Sequence, residues 1–139
     1  MAETEAAYVL FVDDETEILT ALKRRFRREP FTLYTAGSAE EALQLLREKQ
    51  IHVIVSDARM PKMSGIELLE EVRRLYPDIV RMMFSGYVEA DGLLEAINRA
   101  GVFRFIAKPW DEEQLRAHIF EAIEQYSAGQ AGCGPEAEN

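Results

Sequence analysis

The stretch His52–Gly65, HVIVSDARMPKMSG, decides how this chain is read. Ile51 and then Val53, Ile54 and Val55 form a short, β-branched apolar run, which is the pattern of a strand buried on both faces. The run ends in a carboxylate, Asp57, and passes into a loop carrying Met60-Pro61 and Gly65. A strand of this kind belongs inside a parallel sheet, and it delivers its acidic residue at the carboxyl end.

The rest of the chain repeats the unit. AYVLFV, FTLYTA, IVRMMF and VFRFIA are the other strand candidates. Between them lie helical patterns. ETEILTALKRRFRRE puts Ile18, Leu19, Leu22 and Phe26 on one face. Ser38 with Glu41, and Ser64 with Glu67, have the spacing of capping boxes before EEALQLLREKQ and GIELLEEVRRLY. EADGLLEAINRAG is a fourth helix closed by Gly101. Asp111 and Gln114 cap EEQLRAHIFEAIEQY, where Leu115, Ile119, Ile123 and Tyr126 share a face. Five strand–helix units in strict alternation, with strands 1, 3 and 5 reading as continuous apolar runs more than as alternating ones, predict a doubly wound parallel α/β sandwich.

The strand ends carry the chemistry. Strand 1 ends in Asp13-Asp14, strand 3 in Asp57, strand 4 in Ser85-Gly86 and strand 5 in Lys108-Pro109. In a parallel sheet these ends share one edge, where doubly wound folds bind their ligands. Three carboxylates in one crevice repel one another, and a hard divalent cation relieves that repulsion through oxygen ligands. A metal ion, an ammonium and a hydroxyl around one point make a cradle for a phosphoryl group, with one carboxylate as its acceptor. Singly, each feature has a plainer reading: Asp13-Asp14 as a solvated turn or helix cap, Asp57 as a cap, Ser85-Gly86 as a turn, Lys108-Pro109 as a strand end. Their order along the chain favours the joint reading.

Composition bounds the rest. The chain has 139 residues and a net charge of -9, enough for one cored domain and unsuited to gripping nucleic acid phosphates. Lys23, Arg24, Arg25, Arg27 and Arg28 cluster on the first helix, where a solvated face accounts for them. The single cysteine, Cys133, excludes an internal disulfide and points to a reducing cytoplasm. No apolar run approaches the ~20 residues of a membrane span. Residues 1–6 read as a disordered N-terminus, 7–127 as the domain, and 128–139 as a flexible tail or linker.

Taken together, VLFVDDE, VIVSDARMPKMSGIELL, MMFSG and FIAKPW resemble the motifs of the receiver domain of two-component response regulators. The resemblance covers about residues 7–127. It implies the flavodoxin-like (βα)5 fold with strand order 2-1-3-4-5. It implies that Asp57 accepts a phosphoryl group from a phosphohistidine of a sensor kinase or phosphotransfer protein. Asp13, Asp14, Asp57 and the main-chain carbonyl of Arg59 would hold Mg²⁺ or Mn²⁺. Ser85 and Lys108 would bind phosphoryl oxygens, and the Lys108–Pro109 peptide would be cis.

The resemblance further implies a switch. Ser85 would move toward the phosphate and Phe105 would turn inward, changing the face of the fourth helix, fifth strand and fifth helix. Phe105 as plain core is the other reading. With Phe where a Tyr is frequent, no phenol hydroxyl can hold the inward state. Arg59 and Tyr87 flank the site and would modulate phosphate lifetime, or else be ordinary exposed loop residues. Trp110 would anchor beside the last helix, Met82, Met83 and Phe103 would be core, and neither histidine looks like a phosphorelay residue. An unidentified output and a phosphorylation-dependent homodimer belong to the same picture, with no membrane or direct nucleic acid contact. The protein would act as a signalling domain and not as an enzyme on outside substrates. Two rivals compete: a receiver-like interaction module that never uses phosphate, and a phosphatase of the haloacid dehalogenase type. The latter's nucleophile motif, Asp-x-Asp after strand 1, is absent from Asp13-Asp14.

Overall fold

In the computed structural model the structure describes residues 7–85, 94, 98–107 and 110–131, with Ser85 and 129–131 described by backbone alone. Five parallel strands form one sheet: β1 (Tyr8–Val12), β2 (Thr32–Ala36), β3 (Val53–Asp57), β4 (Val80–Ser85) and β5 (Arg104–Ala107). Their order is β2-β1-β3-β4-β5, as the resemblance to receiver domains implies. Helices α1 (Thr16–Phe26), α2 (Ala39–Glu48) and α3 (Gly65–Leu75) lie between the strands, and a C-terminal helix (Glu112–Ala131) follows β5. Leu94 and residues 98–100 are helical, which is the described part of the predicted fourth helix. Among the described residues, no helix is long and apolar enough to cross a membrane.

Every residue of β3 is buried, because this strand is covered on both faces. Val53 and Val55 join one core, with Leu19, Leu22 and Phe26 of α1 and Leu115, Ile119 and Ile123 of the C-terminal helix. Ile54 points the other way, into a core with Leu46 of α2 and Leu68, Leu69 and Val72 of α3. Each such aliphatic side chain contributes roughly 1.5–3 kcal/mol of burial. β2, at the sheet edge, buries only Ala36 fully. Met82 and Met83 are buried in opposite cores, and Phe103 and Ile18 are partly buried against the first.

The predicted caps form, with one variation. Ser64 Oγ accepts from the Glu67 N–H at 3.1 Å while Glu67 Oε1 accepts from the Ser64 N–H at 2.9 Å, a full capping box. Ser38 Oγ accepts from the Glu41 N–H at 3.0 Å, but Glu41 Oε1 reaches back to the Gly37 N–H at 2.7 Å. Asp111 Oδ2 accepts from the Gln114 N–H at 3.3 Å. Gly101 closes the fourth helical segment with φ 62°, a left-handed conformation that favours glycine. The C-terminal helix continues beyond Tyr126 to Ala131. Its added residues, Ser127 to Ala131, contain no proline to stop propagation. The cations of α1 are exposed; Arg25 pairs with Glu112 at 2.5 Å and Arg116 with Glu29 at 3.0 Å, which ties α1 and the turn after it to the C-terminal helix.

Candidate functional site

Strand register assembles the acidic crevice. Val12 of β1 lies opposite Ser56 of β3, so Asp13 emerges beside Asp57. Phe84 of β4 lies opposite Asp57, and Ser85 opposite Ala107 of β5. All four strands therefore end within two residues of one level. Asp13, Asp14 and Asp57 each offer a carboxylate oxygen, and these atoms lie within 4.8 Å of one another. Asp13 is fully buried and Asp57 is 7% exposed, while Asp14 faces solvent.

Local hydrogen bonds orient the carboxylates. Asp13 Oδ1 accepts from the Glu15 N–H at 2.9 Å, and its own N–H donates to the Ala36 carbonyl at 3.1 Å. Asp57 Oδ1 accepts from the Arg59 N–H at 3.4 Å. The Ala58 N–H donates to the Phe84 carbonyl at 2.9 Å, which extends the sheet one residue past β3. The Gly65 N–H then donates to the Ala58 carbonyl at 2.9 Å, folding the loop back so that α3 starts against the site. A Cβ on Gly65 would stand 2.0 Å from the Asp57 carbonyl oxygen, so only glycine fits this approach. Lys62, within the loop, holds φ 71°, a conformation that costs a non-glycine residue about 1–2 kcal/mol. Strain of this kind is tolerated where a surrounding structure fixes the loop.

The donor set suits a hard cation. Two buried carboxylates and one exposed one, all oxygen ligands, match the few carboxylates that Mg²⁺ takes alongside waters and phosphate oxygens. Nothing in the set offers the sulfur or imidazole that softer metals prefer.

Of the predicted site residues, Asp13, Asp14 and Asp57 converge and Arg59 stands exposed beside them. Ser85 is placed by its backbone at the end of β4. Tyr87, Lys108 and Pro109, with the predicted cis peptide, lie outside the described residues. Phe105 is half-buried and packs against the core of α2 and α3. Trp110 meets Phe84 edge-on, ring centroids 4.9 Å apart, so it packs directly beneath the site's strand end.

Sequence reasoning missed His52. It is buried, its Nδ1 accepts from the Tyr8 N–H at 2.9 Å, and its ring stacks on Tyr8 and meets Tyr126 edge-on. Burial lowers its pKa, which keeps the accepting nitrogen free of a proton. A polar residue at the mouth of an apolar strand was the available signal. His118, on the C-terminal helix, lies 3.3 Å from Glu121. A second omission was Arg81, the lone cation in IVRMMF; it donates to the carbonyls of Ile79 and Ala100.

A doubly wound sheet whose carboxyl edge gathers two buried aspartates and a third exposed one defines an α/β domain with an acidic site at that edge. The family model described as the response regulator receiver domain matches residues 9–120, and the chain belongs to that family. It is 42% identical over 118 residues to the hydrogenase transcriptional regulatory protein HoxA of Bradyrhizobium diazoefficiens, covering 85% of this chain and 24% of that protein. It is 34% identical over 122 residues to the sensor kinase CckA of Brucella abortus, covering 86% of this chain and 13% of that protein. The chain thus spans a quarter or less of the length of these relatives. Among solved structures, the signal receiver domain of an HD domain-containing protein from Pseudomonas fluorescens superimposes with a TM-score of 0.86 at 31% identity, covering 88% of this chain and 98% of that one. The chain is a receiver domain of the two-component response regulator type.

Proposed function

We propose that Asp57 is the phosphoacceptor of a Mg²⁺-dependent switch, charged by a phosphohistidine on a sensor kinase or phosphotransfer protein. The observation that carries this reading is the convergence of Asp13, Asp14 and Asp57 within 4.8 Å at the sheet edge. In the transfer, an Asp57 carboxylate oxygen bonds to phosphorus as the P–N bond to the imidazole breaks, and the departing nitrogen keeps the bonding pair. Asp13, Asp14, Asp57 and the Arg59 carbonyl would hold Mg²⁺ or Mn²⁺, which when bound offsets the charge of the carboxylates and the phosphoryl oxygens. Lys108 and Ser85 bind the remaining oxygens.

The same reading gives Ser85 and Phe105 the switch. Phe105, half-buried against the second core, changes its packing when Ser85 moves. The consequence is a biased two-state equilibrium of the face formed by β5, the C-terminal helix and the segment before β5. Arg59 and Tyr87 screen the acyl phosphate from water and lengthen its life. The domain works in the cytoplasm, turns over no outside substrate, and passes its signal to an output domain or protein, with homodimerisation as one means.

The test is intact-protein mass after incubation with acetyl phosphate, with Mg²⁺ or with chelator, for the wild type and Asp57→Asn. One phosphoryl adduct that requires both Mg²⁺ and Asp57 is the expected result. No adduct, together with no response to beryllofluoride and Mg²⁺, would replace this reading with that of a phosphate-independent interaction module.

A further inference from the structure

The segment between β4 and β5 ends in a helical turn, residues 98–100, whose last carbonyls meet two arginines from other elements. A helix end leaves these carbonyls without intrahelical donors and carries partial negative charge. Arg73 of α3 donates from Nη1 to the carbonyls of Asn98 and Arg99, at 3.1 Å each. Arg81 of β4 donates from Nε to the carbonyl of Ala100 at 2.7 Å, and its Nη1 is held by the carbonyls of Ile79 at 2.9 Å and Pro77 at 3.3 Å. Arg99 is in turn paired with Glu70 of α3. Ala100 is fully buried. At Gly101 a Cβ would stand 3.0 Å from Arg81 Nη2 and 3.4 Å from Arg73 Cζ, so both guanidiniums close on the same turn.

This contact is a costly one to build. Burial, and then the neighbouring charge of Arg73, disfavours the Arg81 cation, yet a guanidinium remains charged in proteins. The carbonyls supply the compensation, and the planar fork of arginine can serve several of them at once where an ammonium cannot. Strand alternation puts positions 81, 83 and 85 on one face of β4. Arg81 therefore stands at one end of the face whose other end, about 13 Å away, is Ser85.

We propose that Arg73 and Arg81 are positioning residues that pin the C-terminal end of this helical segment, making Ala100–Gly101 the fixed point about which the switching surface moves. The proposal rests on the phosphoacceptor reading above and adds to it the geometry of the response. The described end of the segment, residues 98–101, is held by three hydrogen bonds and an ion pair. A held end makes the switching surface strain about that point, so weakening the hold lowers the cost of reaching the activated arrangement.

The experiment is amide hydrogen exchange of the whole chain with and without beryllofluoride and Mg²⁺, together with beryllofluoride affinity, on wild type, Arg73→Gln and Arg81→Gln. In the wild type, amides 86–97 should change on binding while amides 99–101 change by less than about twofold. In Arg73→Gln the change should spread into 99–101, and the apparent Kd should tighten by about threefold or more, because less of the binding is used to move the segment. A residue that merely supports the fold would leave the affinity unchanged or weaken it. Arg73 is exposed, so this variant tests the idea even where Arg81→Gln fails to fold. Equal changes at 99–101 and 86–97 in the wild type, or an affinity in Arg73→Gln that does not tighten, would overturn the proposal. A wild type that takes up no beryllofluoride would instead remove the phosphoacceptor reading, and the pin would fall with it.

Discussion

Replacing Gly65 by alanine probes the closest backbone approach at the site. The new Cβ would start 2.0 Å from the Asp57 carbonyl oxygen and 2.9 Å from Ala58 Cα, both backbone groups that cannot rotate aside. An unstrained C···O contact needs about 3.3 Å, so α3 and the end of β3 must separate by about 1.3 Å. That separation strains the hydrogen bond from the Gly65 N–H to the Ala58 carbonyl, now 2.9 Å, which contributes about 1 kcal/mol. Overpacking adds a cost of about 1–3 kcal/mol, and alanine's better helix propensity returns about 0.5–1 kcal/mol. The net expectation is a loss of about 2 kcal/mol in urea-monitored stability. Phosphorylation by acetyl phosphate should slow further than stability alone explains, since a displacement near 1 Å at the reacting group can cost up to about 100-fold. Gly37→Ala is the control: its Cβ would meet only the flexible Glu41 Oε1, at 3.4 Å. A Gly65→Ala protein within about 0.5 kcal/mol of wild type and phosphorylated at the same rate would refute the close-approach argument.

Three further outcomes are expected. Because His52 has a lowered pKa in the folded state, the unfolded chain binds more protons below pH 6.5. Stability is therefore fully present above pH 6.5 and lost as pH falls from there toward the folded-state value; His52→Asn, which keeps an acceptor for the Tyr8 N–H, should flatten that part of the pH profile in chemical denaturation. Lys62→Gly removes the left-handed strain at φ 71° but adds freedom to the unfolded chain, so equilibrium denaturation should register a change of less than about 1 kcal/mol, in the stabilising direction. Asp13→Asn should stabilise the metal-free protein by relieving carboxylate repulsion while cutting the Mg²⁺-dependent rise in Tm, and an unchanged Mg²⁺ response would count against Asp13 as a ligand.

Much of the fold could be read from the chain because its signals are local. β3 is covered on both faces, so the positions that face the two cores are apolar, and the run Val53–Val55 shows it. The Ser64–Glu67 box and Gly101 mark helix ends through contacts spanning only three or four residues. Residues 127–131 were harder, since no proline or cap contradicts either a tail or a continued helix, and the helix continues. The acidic site was visible as polar residues at successive strand ends, because parallel topology turns that order into proximity.

What the sequence determined by itself is the strand–helix alternation and the identities of Asp13, Asp14 and Asp57, which follow from periodicity and from where charge interrupts apolar runs. Tertiary structure decided the rest. That Gly65 must be glycine depends on a carbonyl eight positions earlier, brought close only when the loop folds back. That His52 is a buried acceptor depends on Tyr8 and Tyr126, from opposite ends of the chain. That Arg73 and Arg81 meet one helix end depends on α3 and β4 both packing beside it. Contacts between distant segments leave no period in the sequence, because their partners are chosen by packing and not by spacing.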